Sequence, residues 1–486
     1  MPRPGIPFSD AIAHTVSTFE TTSKNSLPPG SGFFEGSARL NVMASNGAPW
    51  ISGIPGTNDI CAAGAHYLYL EEWPRLPFTA RIERPPLHRG GSASKKGTWP
   101  LLVHPVRDKV WPHQYNAQPM ATADPAAPKQ SLALPDRTLV AATVEGRLPF
   151  KGQFKELTPL AGDASNRRYF RIELTGGAAR SVILMQLSEP EAFKQSEEAV
   201  SGATHQITEL PFLNILSHLS KAGVSVPCLY YYDQAAGLLY LEDFGDLTLS
   251  EACREASAAD LEARYTQAVD ALAHMQSTAT SLADQQCLAF HRSFDVPLLM
   301  WEFDHFLEYG IVARQGKPMC ADDHLPIRSA FETIAELLAG QPRIFVHRDY
   351  HSRNLMVDGE RLGVIDFQDA LMGPSTYDLA SLLRDAYIEL DEALIDRLID
   401  RYLDRSAMHR QVWTNREAFR RLFDFTSIQR NLKAAGRFVY IDRVKGNPKF
   451  LADIPRVLNY VKRNLQKYPE LDKLRKHLTP YVPELQ

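Results

Sequence analysis

Proline falls so unevenly along these 486 residues that the first third and the remainder must fold by different rules. Nineteen of the 33 prolines lie in the first 150 positions, among clusters such as Pro28-Pro29-Gly30-Ser31-Gly32 and Gly90-Gly91-Ser92-Ala93-Ser94-Lys95-Lys96. Proline removes a backbone donor and interrupts helices, and no steady period of two or 3.6 runs through the stretch. Residues 1–148 are therefore expected to be a low-complexity, mostly disordered extension. Two short apolar pieces, 65–70 and 99–103, are its candidates for a strand or a docking segment, and Met120 would serve as the start of a shorter product.

From about residue 150 the pattern becomes regular. Phe154–Leu160 and Arg168–Leu174 read as strands joined by the small-residue turn Ala161-Gly162-Asp163-Ala164-Ser165-Asn166. Ser181–Leu187, Leu229–Tyr232 and Leu238–Phe244 add three more. A helix is expected over about 203–222, closed by Gly223, with Pro211 delaying its regular part. After Leu247 the apolar spacing turns helical, through about 260–280, 297–310, 326–340, 376–390, 393–405, 416–435 and 453–467. The expected class is α+β and bilobal: a small β-rich lobe over 150–245, then a larger helical lobe over 246–480.

The chemistry concentrates in the second lobe. His347-Arg348-Asp349-Tyr350-His351-Ser352-Arg353-Asn354 precedes two short apolar runs, 355–357 and 362–365, with the turn signal Asp358-Gly359 between them. That hairpin folds Asn354 back beside Asp366. An Asn and an Asp brought together offer two side-chain oxygens to Mg²⁺, a hard cation that completes its shell with water and phosphate oxygens. Asp349 lies on the loop before the hairpin, placed to orient a hydroxyl and take its proton late, as phosphoryl transfer requires. ATP and Mg²⁺ are thus the expected cofactors. The turn holding Ser165 and Asn166, followed by Arg167, is suited to cover nucleotide phosphates with backbone N–H groups.

The bulk properties exclude several other classes. The net charge of −4 is too mild for a nucleic-acid or anionic-membrane partner. No apolar run approaches the ~20 residues a membrane helix needs, and no basic segment followed by an apolar one opens the chain, so the cytosol is the expected location. Five scattered cysteines, without C-x-x-C spacing, fit reduced thiols and no zinc site.

With these residues in view, the chain resembles the aminoglycoside phosphotransferase superfamily, small-molecule relatives of protein kinases. The stretches Asp163–Arg171, His347–Met356 and Asp366-Phe367-Gln368-Asp369-Ala370 are more specifically similar to the anomeric kinases of N-acetylmuramate and N-acetylglucosamine in cell-wall recycling. The likeness covers about 150–480. It implies a protein-kinase-like fold, Asp349 as catalytic base, Asn354 and Asp366 as metal ligands, and Glu242, Asp243 and Phe244 as the hinge whose backbone meets adenine. One departure stands out: where many relatives carry a lysine on the third strand, this chain reads Leu184-Met185-Gln186. Arg167, Arg168 or Arg171 is expected to supply the missing charge.

Only eleven residues separate Asp366 from Asp378, Phe367-Gln368-Asp369 replaces D-F-G, and no A-P-E follows, so a peptide acceptor is not expected. The acceptor is a small molecule for which Trp301, Glu302, Asp304, Gln368 and Asp369 are the candidate contacts. The mild charge favours an uncharged or anionic amino sugar over a polycationic antibiotic. For an acceptor carrying a carboxylate, Arg437 and Arg443 are candidate cations. The alternatives left open are an aminoglycoside- or choline-type kinase, or a non-catalytic pseudokinase binding module. No protein partner can be inferred.

Overall fold

The computed structural model describes residues 134–160, 167–177, 179–187, 209–405 and 415–486, with two three-residue strands further upstream. The chain forms two compact units, 1–122 and 123–486. In the first, Leu40–Val42 pairs antiparallel with Ile51–Gly53. The segments at 65–70 and 99–103 lie outside the described residues.

The second unit begins earlier than the composition suggested. Residues 137–147, assigned above to the extension, form helix α1, Arg137–Arg147, opened by Asp136, whose carboxylate accepts the N–H of Thr138 at 2.8 Å. Two flanking prolines hide this helix from a composition count. The Asp N-cap and the Val140/Val144 spacing are the signals that reveal it.

Five antiparallel strands follow: β1 Gln153–Pro159, β2 Arg168–Thr175, β3 Ser181–Gln186, β4 Leu229–Asp233 and β5 Leu238–Glu242, in the spatial order β1-β2-β3-β5-β4. Alternation sorts their side chains. Phe170, Ile172, Val182, Leu184, Leu238 and Tyr240 pack against Val140 and Val144 of α1, while Met185, Leu239 and Leu241 join the opposite core. That second face is covered by α2, Pro211–Lys221, which starts at its proline as expected for a residue favoured in the first helical turn.

The helical lobe contains α3 Leu249–Cys253, α4 Ala258–Ser281, α5 Val296–His305, α6 Ala321–Ala339, α7 Thr376–Leu383, α8 Glu392–Arg405, α9 Arg416–Lys445, α10 Ile454–Lys467 and α11 Asp472–Leu478. Short strands β6 Arg343–Val346, β7 Leu355–Asp358, β8 Arg361–Val364 and β9 Leu371–Pro374 are set among them, pairing β6 with β9 and β7 with β8. The β7–β8 turn carries its one positive φ at Gly359, 59°.

Two helices depart from their expected lengths. The helix expected over 376–390 stops at Leu383, because Asp385 is used to accept the N–H groups of Ser352 and Tyr387 at 2.8 and 2.9 Å. Conversely, α9 runs ten residues past its expected end. Gly436 is a contact residue within it: a Cβ there would lie 2.8 Å from Phe306 Cα and 3.1 Å from the His305 carbonyl oxygen. The true stop is Gly446, with φ 68°. Phe306–Ala313, the segment that Gly436 admits, continues α5 as a π-helix. Among the described residues no helix is long and apolar enough to cross a membrane.

Candidate active site

The loop leaving β6 is held in shape by groups that flank it. Asp378, fully buried on α7, accepts the N–H groups of His347 and Arg348 at 2.8 and 2.9 Å. Arg348 adopts φ 83°, a left-handed conformation that non-glycine residues keep only when their surroundings impose it. The Asp349 N–H approaches His347 Nδ1 at 3.3 Å, so Nε2 carries the proton and donates to the Ile365 carbonyl at 2.9 Å. His347 therefore links the catalytic loop to the strand that delivers Asp366.

Asn354 is fixed by its own amide. Its Nδ2 donates to the Asp349 carbonyl at 2.9 Å, which leaves Oδ1 as the end available to a cation. The Ile365 N–H donates to the Asn354 carbonyl at 3.0 Å, and Leu355 pairs with Val364, so the hairpin brings Asn354 and Asp366 together as the turn signal predicts. Asp366 has φ 64°. Gln368 Nε2 donates to its Oδ1 at 2.8 Å, which leaves Oδ2 available to a ligand. An amide oxygen and a carboxylate oxygen suit Mg²⁺ shared with phosphates. Among the described residues no group of three or more His, Cys, Asp or Glu is placed to hold a metal ion by itself.

Asp349 is partly buried, and burial alone would push its carboxyl up. Lys433, His351, Arg348 and Arg430 outweigh this and hold it well below the usual carboxylate range. It is therefore ionised, ready to accept a hydrogen bond. Burial foremost pushes the His351 imidazole down, against the pull of Asp385 and Asp349.

The hinge side chains brace the two lobes. Arg171 of β2 binds Asp243 through two bonds of 2.6 and 3.1 Å and reaches Asp246 at 2.6 Å. Glu242 pairs with Arg361 at 2.5 Å and accepts the Cys228 N–H at 3.0 Å. The Arg361 guanidinium lies 4.6 Å from the centre of the Phe244 ring, and that ring sits where a side chain at Gly363 would be, 2.5 Å from the Cβ position. The side chains of these three residues are thus engaged within the protein, and the Glu242 N–H donates to the Cys228 carbonyl at 2.9 Å.

Of the three arginines expected to replace the third-strand lysine, alternation on β2 turns Arg168 to the other face and ion pairs take Arg171. Arg168 lies over the Phe170 ring on the α1 face, 5.2 Å from its centre, and Arg171 is bound by the two hinge aspartates. Arg167 hydrogen-bonds with Tyr169, whose hydroxyl also feels the charge of Asp366, and burial foremost raises that phenol. Ser165 and Asn166 lie outside the described residues.

The expected acceptor contacts do not form one group. Gln368 and Asp369 stand beside Asp366, with Gln368 Nε2 3.4 Å from Asp369 Oδ2. Trp301 is partly buried and stacks on His305, ring centres 6.0 Å apart. Asp304 lies on the other side of α5, bound to Arg328 of α6 at 3.0 and 3.2 Å. Two positions along a helix differ by about 200°, so Asp304 cannot share the direction of Glu302.

Glu302 has a different part from the one its motif position suggested. It is 0% exposed, and its carboxylate accepts from Arg348 at 2.7 Å, Gln429 at 2.8 Å and Tyr377 at 3.4 Å, with Lys433 Nζ 3.0 Å away. A substrate hydroxyl has no room there. The carboxylate instead anchors the residue that precedes Asp349. Sequence reasoning missed Lys433, Gln429 and Arg430. Gln429 and Arg430 belong to a set of polar side chains that α9 buries, with Asp424, Thr426, Ser427 and Asn431, and no local pattern marks Lys433.

A family described as the phosphotransferase enzyme family matches residues 156–419. An N-acetylmuramate/N-acetylglucosamine kinase of Pseudomonas aeruginosa is 30% identical over 325 residues, 66% of this chain and 86% of the relative. A protein of the same name from Neisseria meningitidis is 31% identical over 321 residues, 66% of this chain and 88% of the relative. Among solved structures, a choline/ethanolamine kinase family protein from Mesorhizobium loti aligns at 18% identity and TM-score 0.43, covering 71% of this chain and 99% of that one.

Proposed function

Because the chain belongs to the phosphotransferase enzyme family, we propose that it transfers the γ-phosphate of ATP to the anomeric hydroxyl of N-acetylmuramate or N-acetylglucosamine. The observation that carries this reading is the single hydrogen-bonded unit joining the base to both metal-facing oxygens. Asn354 is tied to the Asp349 carbonyl, His347 ties the loop to Ile365, and Ile365 delivers Asp366. The two sugars are those named for the relatives, 86% and 88% of whose length is matched.

In this mechanism Asp349 accepts a hydrogen bond from the acceptor hydroxyl, aligns its oxygen with the γ-phosphorus and takes the proton late. Asn354 Oδ1 and Asp366 Oδ2 would hold Mg²⁺, which would supply positive charge to the phosphate oxygens of the nucleotide. Arg167 meets the phosphates in place of the third-strand lysine, assisted by Ser165 and Asn166. The backbone of Glu242–Phe244 receives adenine. The products are ADP and a sugar 1-phosphate, made in the cytoplasm from sugars released by cell-wall recycling.

The test is acceptor-dependent ADP release with N-acetylmuramate, N-acetylglucosamine, choline and kanamycin, and phosphorus NMR of the product. A 1-phosphate on either sugar is the expected result. Phosphorylation of choline or kanamycin alone overturns the assignment.

A further inference from the structure

Two stripes of side chains face each other between α5 and α9. On α5 and its π-helical extension, Trp301, His305 and Tyr309 recur every four residues; on α9, Lys433, Arg437 and Tyr440 do the same at spacings of four and three. The stripes meet. Tyr440 lies 5.1 Å from Tyr309 and 5.5 Å from His305 between ring centres, and Arg437 lies 4.7 Å from the centre of the Tyr440 ring. Gly436 makes the approach possible, since no side chain fits between α9 and Phe306.

The electrostatics of this strip are one-sided. Glu302 is a single buried carboxylate shared by two cations, Arg348 and Lys433, and Arg430 stands nearby with its guanidinium bonded to Ser381. Arg437 adds a further positive charge. The acid on the strip is Glu308, hydrogen-bonded with Tyr309, where burial pushes its carboxyl up. Lys433 keeps 19% of its side chain exposed. Its ammonium has three donors, of which Glu302 takes one and the Tyr377 oxygen, at 3.4 Å, another.

We propose that Lys433, supported by Arg437, is the specificity determinant for an acceptor that carries a carboxylate, holding that group while the reacting hydroxyl rests at Asp349. This rests on the amino-sugar kinase reading and deepens it. Of the two proposed acceptors only N-acetylmuramate bears a carboxylate, on the lactyl ether at C3, two ring positions from the anomeric hydroxyl at C1. A cation beside the base and an aromatic strip leading away from it match that arrangement. Arg443, the other cation expected from the sequence, pairs with its neighbour Asp442 at 3.5 Å near the exposed end of α9, off the stripe.

The test is steady-state kinetics of the full chain and of Lys433→Met, Lys433→Arg and Arg437→Gln, with thermal melting of each, using N-acetylmuramate and N-acetylglucosamine. In Lys433→Met the ratio of kcat/KM for the anionic over the neutral sugar falls by at least about 10-fold, mostly through KM, as loss of a charge-assisted bond implies. Lys433→Arg restores most of the ratio, and Arg437→Gln lowers it about 3-fold, the smaller effect of a more distant charge. An equal loss on both sugars, or an unchanged ratio, overturns the proposal. If Lys433→Met melts below the assay temperature, Arg437→Gln decides, and an unchanged ratio there overturns it. A wild-type chain inactive on both sugars defeats the kinase reading and this one together. Activity on both with unaltered ratios defeats this one alone.

Discussion

Glu302→Gln separates an internal anchor from a substrate contact. In the fold this carboxylate lies between the Arg348 guanidinium at 2.7 Å and the Lys433 ammonium at 3.0 Å, with no exposed surface. The amide removes the negative charge from between two cations and turns a donor toward donors. Breaking a buried ion pair from one side costs about 3–5 kcal/mol. For a folded unit of roughly 350 residues, with an unfolding entropy of about 2.1 cal/mol/K per residue, the melting midpoint drops by about 4–7 °C. Arg348 immediately precedes Asp349, so a loosened anchor also misplaces the base, and kcat falls by about 10- to 100-fold. The KM values for ATP and for the neutral sugar change by less than about 3-fold, because Glu302 touches neither. Differential scanning fluorimetry and initial rates on one preparation give both answers. An unchanged midpoint with a KM for the sugar raised about 10-fold would refute the reasoning and return Glu302 to the acceptor site.

Two other consequences follow from packing and charge. Val144→Asp puts a carboxylate under the sheet at a position 1% exposed, and urea unfolding should show a loss of about 3 kcal/mol or more, whereas a loss below about 0.5 kcal/mol would mean that α1 does not cover the sheet. Glu392 is held at about 2 by Arg384 and Arg420 against the opposing effect of burial. Its depressed value contributes stability that is present above its ordinary 4.5 and lost as pH falls toward 2, discounted to about 1 kcal/mol because the side chain is 44% exposed. Glu392→Gln is thus less stable than wild type at pH 7, and the gap closes between pH 4.5 and 2; urea midpoints with a constant gap across that range would contradict this.

What could be read in the sequence was local. The strand pattern over 153–242, the Pro211 start and the Asp358-Gly359 hairpin each depend on residues within a few positions of one another, and each appears in the fold. The hairpin alone brings Asn354 to Asp366. What could not be read depends on distant partners. Glu302 looks like any acidic residue near an aromatic until Arg348 and Lys433, 46 and 131 positions away, close on it. Gly436 looks like a helix stop until the backbone of Phe306 is seen against it. Arg167 follows the expected phosphate-binding segment directly in sequence, but that Arg168 turns to the other face and that Asp243 and Asp246 take Arg171 depends on the folded sheet. Helix α1 was within reach, because its cap and valine spacing are local, but proline counting averaged it away.

In the proposed reaction Asp349 acts on the acceptor while Asn354 and Asp366 would hold the metal–nucleotide complex. Sugar-dependent ADP release by Asp349→Asn, measured beside its affinity for Mg–ATP, separates these roles. Release is expected to fall by about 10³-fold or more while nucleotide affinity stays within about 3-fold of wild type. Release at the wild-type rate would contradict it and favour a chain that binds nucleotide without catalysing transfer at this site.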